Sequence, residues 1–311
     1  MTVRRMEVGP ADDGARLDQF LAGPLGSRAR AQRLIDGGGV KVDGRGAPKR
    51  HRLSRGQIVE FDPAQTHPGP GPESGSPGGP VLRVAYQDDD LLVVDKPAGV
   101  VVHPSRGHAG GTLAQALAGR AAGGPEAERA GIVHRLDRDT SGLLVVARSD
   151  AVHRRLAAQL AARSLTREYL ALVAGLPPAR TGTIDVPLGR DRRDRLRVST
   201  DTDVPRPART HFAIERALPG TTLLRVRLET GRTHQIRAHL LSIGHPICGD
   251  PVYGPAPSVG LERQFLHAEH LAFDHPVTGR RIDVRSPLPK DLAAALERAA
   301  RGELEPPSGQ A

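Results

Sequence analysis

The stretch HRLDRDTSGLLVVA, residues 134–147, sets two carboxylates and two guanidiniums beside an apolar run. The branched aliphatic residues of Leu143–Ala147 read as a buried strand, and Asp139 and Thr140 as turn formers leading into it. Asp137, Asp139 and Ser141 have the one-three-five spacing of a calcium loop, with Gly142 next. Such a loop needs glutamate at its twelfth position, where this chain has Arg148, so calcium is not expected. What remains is Asp137 between Arg135 and Arg138 at the mouth of a strand. Taken alone, that arrangement suits an ion-pair partner as well as a reacting group.

Working outward, VLRVAYQDDDLLVVDKP (81–97) reads as two strands about a turn at Asp88–Asp90, with Lys96-Pro97 stopping the second. Thr112 is a candidate cap for a short helix with Leu113 and Leu117, and Ser149 or Asp150 for a helix with Val152, Leu156 and Leu160 on one face. YLALV (169–173) and LLRVRL (223–228) alternate as strands with one buried face. Thr233 is expected to cap a helix over HQIRAHLLSI (234–243), which Gly244 ends. Strands and helices intermix without a regular repeat, which predicts an α+β body with a mixed, largely antiparallel sheet.

Ahead of the body, residues 62–80 (DPAQTHPGPGPESGSPGGP) are mostly Pro and Gly and contain no Lys or Arg. They cannot bury enough apolar surface to offset ordering entropy and read as a flexible linker. The 311-residue chain thus divides into a small α+β head (12–61) and a body (81–300), with a tail (301–311) expected to be disordered. Within residues 16–61, ten Lys or Arg stand against four Asp or Glu, a local +6 within an overall +9. A polyanionic partner is implied. In the head, Leu17, Phe20 and Leu21 form one apolar helix face and Ala31, Leu34 and Ile35 another, with Arg28, Arg30 and Arg33 mostly opposite. After a glycine break at 37–39, VKVDGRG (40–46) supplies a short strand and an Asp-Gly turn, and RHRLSRGQIVEF (50–61) closes with another strand. A second basic stretch, RDRRDRLRVSTDTDVPRPAR (190–209), fits either contact with the polyanion or a solvated loop.

Several chemistries are disfavoured. One cysteine, Cys248, excludes internal disulfides and multi-thiolate metal sites, including the cysteine-ligated zinc of base deaminases. There is no Gly-Lys dipeptide and hence no phosphate-binding P-loop. His234 and His239 lie five apart on a helix and diverge, so no metal is expected. No apolar run approaches the roughly 20 residues of a membrane span, and MTVRRMEVGP lacks the apolar stretch of a signal peptide. A soluble, cytoplasmic monomer with no cofactor and no membrane partner is the expectation.

GIVHRLDRDTSGLLVVA (131–147) resembles the signature of the RluA family of pseudouridine synthases. The same family carries segments seen here as DKPAG (95–99), REYLALV (167–173), GRTHQIR (231–237) and IGHPICGDPVYG (243–254), in family order. The head resembles the RNA-binding module first known from ribosomal protein S-four. These resemblances imply a pseudouridine synthase fold and isomerisation of uridine in RNA, in which the base–ribose bond is cut at nitrogen and remade at carbon. They carry the catalytic carboxylate onto Asp137, its guanidinium partner onto Arg237, and an aromatic group against the base onto Tyr169, whose hydroxyl could join proton transfer. Arg135 corresponds to the residue that fills the gap left by a flipped-out uridine, and Arg28, Arg30, Arg33 and Lys41 to phosphate contacts in the head. Tyr86 and Tyr253 read as core residues. The head-plus-body layout and VVDKPAGVVVHP (93–104) resemble members acting on large-subunit ribosomal RNA. Whether Asp137 attacks ribose, adds to the pyrimidine or removes a ribose proton stays open. Two rival readings are a non-catalytic RNA binder and an N-glycosidic hydrolase using Asp137 and water.

Overall fold

A computed structural model describes residues 3–25, 28–62, 82–103, 110–124, 131–194, 197–254 and 256–305, apart from the side chains of residues 29, 30 and 33. The expected linker, apart from Asp62, and residues 306–311 lie outside the described residues.

The body is built on one nine-stranded sheet. Its strands are β5 (Arg83–Gln87), β6 (Leu91–Lys96), β7 (Ser141–Ala147), β8 (Thr166–Ala174), β9 (Thr181–Asp185), β12 (Arg209–Leu218), β13 (Thr221–Leu228), β14 (Leu266–Asp274) and β15 (Arg281–Arg285). They run in the order β5-β6-β7-β14-β8-β13-β12-β9, with β15 on β14, while β10 (Gly189–Arg190) and β11 (Val198–Ser199) form a separate antiparallel pair. Every pairing is antiparallel except β7 with β14. The body is thus α+β with a mixed, largely antiparallel sheet.

Strand β7 is buried along its whole length, and β8 is buried at Arg167 and from Tyr169 to Val173. YLALV therefore has two buried faces, where one was expected, because side chains from both of them, Tyr169 to Val173 without a break, pack into the main core. Leu92, Val94, Leu144 and Val146 join the main core, while Leu91, Val93, Leu143 and Val145 pack on the other face beneath helix α5 (Asp150–Ala161). Thr112 caps helix α4 (Leu113–Ala116) in a reciprocal capping box with Gln115. Ser149 caps α5 by accepting from the Val152 N–H.

Thr233 is not the cap of helix α6 (Gln235–Ser242). His234 holds that position in the left-handed region, at φ 52°, without a side-chain cap bond. The entry to α6 is tied instead by Gln235, whose Oε1 accepts from Thr230 Oγ1 at 2.8 Å and the Arg232 N–H at 3.0 Å. The tail, too, is ordered further than expected. After helix α7 (Lys290–Ala300), Leu304 packs on the main core and Glu305 accepts from Ser258 Oγ at 2.6 Å.

In the head, β1 (Arg4–Glu7), β2 (Val40–Val42), β3 (Arg45–Gly46) and β4 (Ile58–Phe61) form an antiparallel sheet in the order β1-β4-β2-β3. Strand β1 precedes residue 12, so the head's sheet begins earlier than its charge pattern indicates. Asp43 and Gly44, both with positive φ, make the β2–β3 turn. Helices α1 (Leu17–Phe20), α2 (Ala22–Leu25) and α3 (Arg28–Asp36) cover the sheet through Leu17, Leu21, Ala31, Leu34 and Ile35.

Candidate active site

The opening of β7 is fastened from several sides. Lys96, fully buried at the end of β6, donates to the carbonyls of Pro97, Val100 and Arg138 at 2.8, 2.9 and 2.8 Å. Burial pushes its ammonium down to about 7, against the attraction of Asp139 and Asp137. One lysine thereby ties the DKPAG turn to the loop bearing Asp137. Arg263 Nη1 donates to the Asp139 carbonyl at 3.0 Å, and Ser141 Oγ is bonded to His267 Nδ1 at 3.0 Å. Gly142 is required, since a Cβ there would lie 2.3 Å from the Ala268 carbonyl oxygen.

Asp137 projects from this rigid loop into a cavity of about 560 Å³. Its side chain is 16% exposed and accepts a bond from Arg237 Nη1 at 3.3 Å. Arg237, on α6, is committed more tightly elsewhere. Its Nε and Nη2 donate to Asp250 at 2.7 and 2.8 Å, a bidentate pair buried on both sides. Burial works against both charges, but the paired hydrogen bonds outweigh it: the Asp250 carboxyl is held below, and the Arg237 guanidinium above, its ordinary value. Asp250 also accepts from the Val252 and Tyr253 N–H groups at 2.9 and 3.0 Å. Tyr253 lies under the guanidinium, 4.8 Å from ring centroid to Cζ, and its hydroxyl is bonded to His234 Nδ1 and donates to the Val198 carbonyl.

The remaining wall comes from β8, the 228–233 turn and the end of α5. Tyr169 is 4% exposed, and burial raises its hydroxyl pKa, so the phenol stays protonated near neutrality. Two residues earlier on the same strand face, Arg167 also lines the cavity. His134 lies close by and its Nε2 accepts from the Val145 N–H at 3.2 Å. Arg135 stands exposed at the rim.

The family model for RNA pseudouridylate synthase matches residues 90–242, and that for the S4 domain matches residues 15–59. An uncharacterized RNA pseudouridine synthase of Chloroflexus aurantiacus is 49% identical over 94% of this chain and 92% of its own. The ribosomal large subunit pseudouridine synthase D of Nitrosomonas europaea is 45% identical over 91% of this chain and 84% of its own. The chain belongs to the RNA pseudouridine synthases. Among solved structures, human RNA pseudouridylate synthase domain containing 1 matches with a TM-score of 0.55 and 27% identity, over 76% of this chain and 99% of that one.

The synthase brings Asp137, Tyr169, Arg237 and Arg135 to one cavity. Arg138 pairs with Asp139 through two donors and leaves Asp137 to Arg237, the partner that the resemblance implies. Arg28, expected to face RNA, donates through Nε and Nη2 to the buried Asp18, which needs cations more than a solvated helix face does. Lys41 is exposed on β2, and the side chains of Arg30 and Arg33 lie outside the described residues. His239 bonds Thr210 and the Val186 carbonyl, as a structural histidine would. Of the second basic stretch, Arg192 pairs with Asp201 and Asp203 and Arg209 with Asp185, so part of its charge is answered locally.

Asp250 and Lys96 have no site role in the sequence reading and Tyr253 only that of a core residue, although all three lie in the motifs quoted above. An Asp-Pro turn that captures its own amides is a local cue to Asp250; its partner on α6 is a tertiary fact.

Proposed function

We propose that this synthase converts specific uridines of large-subunit ribosomal RNA into pseudouridine, acting on a flipped-out nucleotide with Asp137 as the catalytic carboxylate. The observation that carries the reading is Asp137 itself: a carboxylate with a single donor among the described residues, at 3.3 Å, left otherwise open to a cavity that Tyr169 also lines. Extrusion of a uridine costs a few kcal/mol, and stacking on Tyr169 offsets roughly 1–3 kcal/mol of that. Arg135 at the rim fills the gap left in the RNA, because a planar cation can stack as well as pair. Arg237, anchored by Asp250, sets a fixed positive charge beside Asp137 while remaining too committed to be drawn away. Net isomerisation oxidises and hydrolyses nothing, so no cofactor is called for.

The head, residues 12–61 together with β1, acts as a separate RNA clamp on the 62–80 linker, with Lys41, Arg30 and Arg33 on phosphates. Residues 81–300 form the catalytic body. Ribosomal RNA is favoured because relatives from Nitrosomonas europaea, Xanthomonas campestris and Pseudomonas aeruginosa, at 45, 41 and 42% identity, are named ribosomal large subunit pseudouridine synthase D. The protein would then act as a cytoplasmic monomer. Pseudouridine maps of ribosomal and transfer RNA from cells with and without the gene test this. Loss of large-subunit sites supports it; loss confined to transfer RNA, or release of free uracil by the purified protein, overturns it.

A further inference from the structure

Across the cavity, Arg167 is buried in an unusual way. It is 7% exposed, and among the described residues no carboxylate pairs with it. Its one hydrogen bond among the described residues is a long one, from Nη2 to the Glu229 carbonyl at 3.5 Å, while its Nε is buried without a partner among them. The Glu229 carboxylate is already engaged by Arg163 and His211. Burial lowers the guanidinium's pKa, as expected for a charge without compensation. Room for the group is kept by Gly231, where a Cβ would stand 2.8 Å from Nη1. Beside it, His134 accepts a backbone N–H on Nε2, so its own proton sits on Nδ1, which is also buried without a partner among the described residues. Burial and the neighbouring Arg167 push this imidazole down to about 3, so it is neutral at any working pH. One wall of the cavity therefore offers a cation and a neutral N–H donor, both dry and both unanswered.

An unpaired buried cation is expensive unless something completes it. We infer that Arg167 is a further catalytic residue of this synthase, binding the pyrimidine oxygens with His134 Nδ1–H and stabilising the negative charge that the base acquires in the reaction. The inference rests on the reading of the site given above. When the N1–C1′ bond breaks, its electron pair leaves with the pyrimidine and spreads over N1, O2 and O4. If Asp137 adds to the ring first, charge reaches O4 as an enolate. On either route C5 then supplies the pair for the new bond to C1′, any bond that Asp137 has made to the ring or to C1′ breaks with its electron pair returning to the carboxylate, and the C5 proton is finally exchanged for one on N1. A fixed cation answering an oxygen that becomes charged only during reaction is differential stabilisation of the transition state.

Arg167→Gln is expected to lower the single-turnover rate at saturating RNA by about 10²–10³-fold, with the Kd for RNA unchanged and the melting temperature equal to or above the parent's. Gly231→Ala, which keeps the charge but displaces the guanidinium, should lower the same rate. A fall in melting temperature that accounts for the lost activity would make Arg167 structural and overturn the inference. So would weaker binding with a shallower salt dependence and an unchanged rate, the mark of a phosphate contact. A parent protein that makes no pseudouridine fails the underlying reading, whereas an active parent matched by an equally active Arg167→Gln fails this inference alone.

Discussion

The tripeptide Arg-Leu-Asp occurs at residues 16–18 in the head and 135–137 in the body, and the two copies have opposite fates. In both, the leucine is buried, Leu17 at 0% and Leu136 at 4% exposure. In the head, Arg16 folds back on its own aspartate through Nε and Nη2 at 3.0 and 2.8 Å, and Arg28 and Gln32 add donors to the same carboxylate. Burial alone would raise the Asp18 carboxyl, and these bonds hold it below its ordinary value. In the body, Arg135 stays out at the rim, Arg138 turns to Asp139, and the Asp137 carboxylate keeps a single long bond among the described residues. A carboxylate whose lone pairs are all taken is a strut, whereas one left short of donors beside a cavity can react.

The largest effects follow from this contrast. Asp137→Asn should reduce pseudouridine formation on the order of 10⁴-fold, while thermal unfolding stays close to the parent's, because only one weak bond is altered. A variant that instead unfolded would erase the distinction. Asp250→Asn should do both kinds of damage. It removes one side of a buried bidentate pair, worth about 3–5 kcal/mol of stability by denaturant unfolding, and frees Arg237 to swing, so the rate falls as well. Asp18→Asn should cost about 3 kcal/mol, at the low end because Arg16 and Arg28 are 30% and 24% exposed and can be rehydrated. Its single-turnover rate at saturating RNA should match the parent's. A catalytic defect there would mean that the head contributes to chemistry.

How far such differences can be seen in sequence depends on the range of the forces involved. Local cues worked: apolar runs located β6, β7 and β8, and Thr112 and Ser149 were legible as caps because capping is settled within one turn. Strand β1 was invisible, since RRME is a charged edge with no alternation and exists only through its pairing with β4. Thr233 misled because α6 is entered through the Gln235 side chain, a choice that local propensity does not record. Asp137 and Arg237, 100 residues apart, could be joined in advance only through resemblance to a family. The sharing of Arg237 between two carboxylates, and the isolation of Arg167, depend on which chains cross in three dimensions, and no spacing rule carries that.

Acid offers the finest test of the two Arg-Leu-Asp regions, because their titrations are separated. His134 is neutral in the folded body, with its pKa pushed from 6.5 down to about 3 by burial and then by Arg167. Between those values the unfolded chain binds a proton that the folded chain refuses. The contribution is therefore complete above pH 6.5 and is lost as pH falls, at about 1.4 kcal/mol per pH unit. Asp18, whose pKa is depressed below 3.8, also contributes stability that is present at higher pH, but its share is lost only below about that value. From pH 6 to 4.5 the body should weaken while the Asp18 cluster stays intact, which amide hydrogen exchange can follow residue by residue. His134→Gln should flatten the body's slope by one proton's share. The slope should not vanish, because His239 and His267 are also buried with lowered pKa values. Equal weakening of head and body over this range would show that the head is not held by its aspartate, and that the contrast between the two regions is one of position alone.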